Sequence, residues 1–200
     1  MTTNLSKGDA TRQRLSESML ELIQTKGYHG AGLNAVLEHS MAPKGSLYFH
    51  FPGGKSELGS AAIALTAEQF KTMITGAIAA TESIEELVDV VIRELTVQLV
   101  SSDYRIGCPV AAVTLDAGAE DEQLRAACSS AYASWIATFD SHLALSGADI
   151  AETHALATSV ICLIEGALII CRAQRSTMPL LSASQTLKVL LGTSSNRDGK

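Results

Sequence analysis

Apolar residues recur along this chain with the spacing of amphipathic helices. Leu15, Met19, Leu22 and Ile23 fall at i, i+4, i+7 and i+8, a stripe along one helix face. Gly27, after Lys26, predicts the end of that helix, with a linker over 28–32. Leu33, Val36 and Leu37 predict a short helix over 33–39, followed by a turn at Ser40-Met41-Ala42. Pro43 suits the opening of a second short helix, because its missing N–H would be unpaired there in any case. That helix runs to about Phe51, anchored by Leu47 and Phe51, and Pro52-Gly53-Gly54 ends it. From Ser56 onward the pattern predicts helices only, over 56–80, from Ser83 through Leu99 up to an interruption at Gly107-Cys108-Pro109, and over 110–117, 121–145, 151–175 and 180–191. Ser83 and Glu86 have the spacing of a capping box, and Leu87, Val91, Leu95 and Leu99 share one face of the helix it opens. Residues 193–200 are expected to be disordered.

The fold class read from this pattern is all-α. A chain that is 46% hydrophobic but only 4% aromatic, with four prolines, favours helix over strand. One predicted helix stands out. Leu156, Val160, Leu163, Ile164, Leu168 and Ile170 spread around most of the circumference of 151–175, so it needs burial on several sides. A homodimer is expected, in which 151–175 and 180–191 pack on their equivalents as a four-helix bundle; the alternative is a central helix of a monomeric bundle. The most apolar stretch, 160–170, is interrupted by Glu165 and is shorter than the ~20 residues a bilayer needs, so no membrane partner is expected. The first eight residues lack an apolar run, and the four cysteines show no CxxC spacing. Both features point to reduced, mostly buried thiols and a cytoplasmic location.

Charge is uneven. The net charge is −6, yet residues 1–55 hold six basic and four acidic side chains while the rest hold nine and seventeen. A mildly basic head on an acidic body is compatible with a head that meets phosphates. Within it the second short helix and its exit crowd together Lys44, Ser46, Tyr48, His50 and Lys55, groups that can meet a phosphate or a base edge. Enzymatic readings fail. Gly30-Ala31-Gly32-Leu33-Asn34-Ala35 matches GxGxxA, but a helix precedes it where a dinucleotide fold needs a strand. Gly54-Lys55-Ser56 matches the end of a P-loop whose first glycine would fall on Phe49. No nucleophile–base pair emerges, the five histidines lack metal-ligand spacing, and no catalytic residue, metal or cofactor is expected.

The run APKGSLYFHFPGGKSEL, with Arg12 ahead of an apolar helix that Gly27-Tyr28 closes, resembles the DNA-binding head of the TetR/AcrR family of bacterial transcriptional regulators. The match covers about residues 10–60. PKGSLY, His-Phe and PGGK, with Gly107-Cys108-Pro109 and Glu165-Gly166-Ala167 further on, resemble the subgroup that includes lincomycin-resistance repressors. The resemblance implies a three-helix helix-turn-helix domain, placed at 1–55, and a larger helical effector-binding and dimerisation domain, placed at 56–192. It implies a dimeric repressor that binds a near-palindromic operator in double-stranded DNA and releases it when a small, apolar or aromatic effector binds.

Roles follow from that resemblance. Arg12, Lys44, Gly45, Ser46, Tyr48, His50 and Lys55 are the expected DNA-binding residues. Lys44 and Ser46 are assigned to base edges or nearby phosphates, Gly45 to close backbone approach, and Tyr48, His50 and Lys55 to phosphates. Phe49 and Phe51 are read as core. Expected effector-pocket residues are Leu95, Leu99, Tyr132, Trp135, Phe139 and Glu165; the last needs a partner, with Arg105, a loop N–H or a polar group of the ligand as the candidates. Met41 stands where the family usually has glycine, which is costly if the backbone there needs φ > 0. The competing reading is a helical interaction protein that keeps the helix-turn-helix as scaffold without specific DNA binding.

Overall fold

The computed structural model describes residues 7–117, 121–144 and 150–195. Among these the chain is helical throughout, with no strand. The helices are α1 (Lys7–Gly30), α2 (Leu33–Ser40), α3 (Lys44–His50), α4 (Gly54–Ala80), α5 (Ile84–Ser101), α6 (Pro109–Asp116), α7 (Glu122–Ala144), α8 (Ile150–Gln174) and α9 (Met178–Ser195). They form two compact units. One joins the N-terminal segment through Thr66 to Pro109–Ala131; the other joins Ala67–Cys108 to the segment from Tyr132 onward.

The first unit is built on α1, which packs on α2, α3 and α6. Its predicted stripe is the core, with Leu15 and Met19 fully buried and Ile23 nearly so. Gly27 does not end α1 but kinks it. Its φ of 73° and ψ of 169° lie where a side chain is strained, and a Cβ there would also meet the Asp116 Oδ2 at 2.7 Å. The expected linker is therefore a further helical turn through Gly30. It brings Tyr28 inward to 7% exposure. The turn between α2 and α3 depends on Met41, whose φ of 51° and ψ of 29° are left-handed. Its N–H donates to the Glu38 carbonyl at 3.3 Å and closes α2, while its side chain is 87% exposed.

The second unit packs α9 against α5 and α8. The Ser83 hydroxyl accepts the Glu86 N–H at 3.2 Å, and the Glu86 carboxylate accepts from Glu82 at 3.0 Å; the return bond of the box thus goes to the amide before Ser83. Pro179 lies in the first turn of α9, where its missing N–H costs nothing. That helix continues through Ser195, past the start of the stretch expected to be disordered; the rest of that stretch lies outside the described residues. The apolar run at 160–170 belongs to a longer helix. By length and hydropathy Ala151–Gln174 could cross a membrane; in this structure Val160, Ile164 and Cys171 are buried in the packed unit.

Because Met41 contributes almost no buried surface but occupies a left-handed conformation, Met41→Gly is expected to be neutral or stabilising, by up to ~1 kcal/mol. Thermal denaturation checks this; a clear fall in Tm would show that the Met41 side chain supports the turn.

Candidate nucleic-acid interface

Helix α3 has seven residues, too few to persist alone, so its surroundings must hold it. Leu47 and Phe51 are fully buried. At its start the Ser46 hydroxyl donates to the Pro43 carbonyl at 2.6 Å, which turns that side chain back on its own backbone. At its end the Arg12 guanidinium donates to the His50 carbonyl and lies over the Phe51 ring, 4.3 Å from its centroid. Arg12, expected at the DNA, is thus joined to the C-terminus of α3, where helix carbonyls lack partners and a cation is favoured.

The solvent side of α3 carries Lys44, Gly45, Tyr48 and Phe49, all exposed. Tyr48 is 56% exposed and Phe49 80%. The core reading of Phe49 is therefore corrected. It sits two residues beyond Leu47, about 160° around the helix from the residue that faces the core, whereas Phe51 leaves the helix and turns inward. His50 is half-exposed, with its ring edge-on to Phe49 at a centroid separation of 5.0 Å.

Lys55 is drawn away from that side. Its ammonium donates to the His29 carbonyl at 3.3 Å and stands 4.4 Å from the Tyr28 ring centroid. Burial lowers its pKa, and the Asp116 charge raises it in part. Asp116, at the end of α6, accepts the His29 N–H at 3.2 Å. Asp121 accepts the Ser56 hydroxyl at 2.7 Å with each oxygen and the Leu124 N–H at 3.1 Å, joining α4 to the start of α7. Tyr28 lies among these groups, and its phenol is pushed from 10.0 up to about 12, chiefly by burial and then by Asp121. Tyr28, Asp116 and Asp121 are internal supports of this unit that the sequence pattern missed. No spacing relates them, because their contacts are long-range.

Comparison with known proteins resolves what such a unit belongs to. Residues 17–62 match the family described as bacterial regulatory proteins, tetR family. Residues 85–186, more than half the chain, match the C-terminal domain of LmrA/YxaF-like transcriptional regulators. This chain belongs to the TetR family of transcriptional regulators. Two relatives from Bacillus subtilis are similar over almost their whole length. They are the HTH-type transcriptional regulator LmrA, 32% identical over 94% of this chain and 99% of the relative, and the uncharacterised regulator YxaF, 30% identical over 93% and 97%. A TetR-family regulator from Cytophaga hutchinsonii superposes with a TM-score of 0.80 at 25% identity, covering 98% of this chain and all of that one. The helix-turn-helix of a TetR-family regulator binds DNA, and α2 and α3 are that motif.

The expected effector residues of this TetR-family regulator all lie in the second unit. Leu95, Leu99, Trp135 and Phe139 are buried; Tyr132 is half-buried and edge-on to Trp135, at a centroid separation of 5.4 Å. The Trp135 indole donates to the Ala67 carbonyl at 3.1 Å and abuts Phe70 at 4.7 Å. Glu165 is corrected in its partner. The Cys108 thiol, not Arg105, bonds it, while burial more than offsets this and raises its pKa. Its Oε2 is buried without a hydrogen-bond partner. Arg105 instead donates to the Ser102 carbonyl at 3.1 Å. Among the cysteines Cys162 is exposed and Cys128 and Cys171 are buried; no group of three or more metal-ligating side chains occurs among the described residues.

Two outcomes follow. Arg12→Ala is expected to cost roughly 1–2 kcal/mol of stability, since it leaves the end of α3 unclamped, whereas Lys44→Ala leaves the Tm unchanged. Equal melting temperatures for both variants would remove the clamp. Tyr28 contributes stability that is complete below pH 10 and is lost as pH rises through its folded value of about 12, because only the unfolded phenol ionises in that window. Urea titrations between pH 9 and 12 should show this loss in the parent and not in Tyr28→Phe.

Proposed function

We propose that this regulator is a dimeric repressor that binds a near-palindromic operator and releases it when a small, apolar or aromatic molecule enters the body. The observation that carries the reading is the solvent side of α3. Lys44, Gly45 and Tyr48 are presented outward from a helix whose Ser46 hydroxyl and His50 carbonyl are already paired within the head. Such a helix fits the major groove, with backbone-positioning contacts from Tyr48 and His50 and base contacts from Lys44. Lys55 reaches a phosphate only by leaving the Tyr28 ring and the His29 carbonyl, which makes its contribution weaker than its charge suggests. The head is taken to end near residue 55 and the body to span 56–192, in the cytoplasm, where DNA is accessible.

Dimerisation is supported by the outer faces of α8 and α9. Ile169, Ile170, Met178, Leu181, Val189 and Leu190 are exposed in the single chain, and large apolar side chains exposed on two neighbouring helices fit an interaction surface. Four helices, two from each copy, would cover it. The effector is read as a mainly apolar molecule that meets Leu95, Leu99, Tyr132, Trp135 and Phe139, with Glu165 offering a buried, unmatched carboxylate oxygen. It acts by binding better to the dimer shape whose heads do not fit the operator spacing.

Gel-shift with the DNA flanking its own gene, at low and moderate salt, tests the reading. Specific retardation that weakens with salt is expected, with a modest slope because few cations face the DNA. Absence of any specific complex would leave the helix-turn-helix as a scaffold for protein contacts. Lys44→Ala should blur the preference for operator over random duplex, and Leu181→Glu should yield a monomer in sedimentation that loses operator binding at least tenfold. A stable dimer carrying Leu181→Glu would move the interface elsewhere.

A further inference from the structure

We propose that Phe49 is a specificity-determining residue that reads the C5-methyl group of a thymine in each half-site. The proposal rests on the reading of α3 as the DNA-facing helix. Phe49 is 80% exposed, which leaves a phenyl ring in water on one of the shortest helices of the protein. Gly45 lies four residues earlier, hence on the same helix face. Both are two residues from buried Leu47, so together they form the ridge of α3 farthest from the core. A side chain on a helix leans back over the preceding turn; for Phe49 that turn carries Gly45, and a Cβ built there meets nothing within 4 Å. The ridge therefore consists of one exposed ring and a bare glycine with open space above it. The His50 ring stands edge-on to Phe49, at 83° and a centroid separation of 5.0 Å.

Chemistry then limits what the ring can read. It offers no hydrogen-bond donor or acceptor, so it cannot distinguish bases by their polar edges. The apolar group presented in the major groove is the thymine methyl. Burying an apolar ring against it recovers part of the exposure cost that Phe49 carries in the free protein. On the flank of the same helix Tyr48 supplies a polar contact that holds register and Lys44 a polar base contact, while Phe49 reads the apolar group that neither can recognise.

The test uses the full-length protein and a pool of random duplexes. Enriched half-sites are expected to share a thymine at one fixed position. Replacing that thymine with deoxyuridine removes only the methyl group, and should weaken the wild-type complex about fourfold, the worth of one buried methyl. Phe49→Ala should bind the thymine and deoxyuridine duplexes equally, with unchanged Tm and unchanged affinity for random duplex. Enrichment without any deoxyuridine effect, or a Phe49→Ala protein that still tells the two duplexes apart, overturns the role of Phe49 and leaves the regulator reading intact. Failure to enrich any duplex removes both.

Discussion

A seven-residue helix has to be held rigidly in water before it can be offered to a groove, and the head is organised around that requirement. Intrahelical bonds cannot do it, since a helix this short gains too few of them to offset nucleation. Burial of Leu47 and Phe51 supplies the adhesion. Arg12 then joins the far end of α3 to α1 twice, through a carbonyl that the helix itself cannot satisfy and through the face of Phe51. Met41 fixes the entry by accepting a left-handed backbone. These devices act on the core side and the two ends of α3, which leaves its solvent side free of structural duty.

The nominal positive charge of the head is likewise divided between support and display. Lys55 lies along the surface against Tyr28 and the His29 carbonyl, within reach of the Asp116 field. Arg12 is engaged with α3. Lys44 remains at the exposed surface. The acidic side chains that make the body negative are not all remote from the head: Asp116 and Asp121 bond α1 and α4 within the same compact unit. A basic count over residues 1–55 therefore overstates the charge available to phosphates.

The second unit shows how a residue can be read correctly in kind and wrongly in contact. Glu165 interrupts an apolar run, so burial beside a polar partner is a sound expectation. Its partner is the Cys108 thiol, a weak donor that leaves one carboxylate oxygen unmatched. Trp135 has its indole N–H satisfied by the Ala67 carbonyl and its ring wedged by Phe70 and Tyr132, so it anchors the core of that unit.

By itself the sequence determined what depends on local spacing. Helical periodicity placed the short helix pair, the cap at Ser83 and the core stripe of α1, because side chains three and four apart share a face whatever the surroundings. The same geometry, applied from Leu47, puts Phe49 outward; treating both phenylalanines as core overlooked it. Tertiary structure decided what depends on distant partners. Gly27 kinks α1 in a positive-φ conformation close to the Asp116 carboxylate, Arg12 clamps α3 across 38 residues of sequence, and Lys55 lies over the Tyr28 ring. These outcomes are set by which groups the packed helices bring within a few ångströms, and no periodicity encodes that.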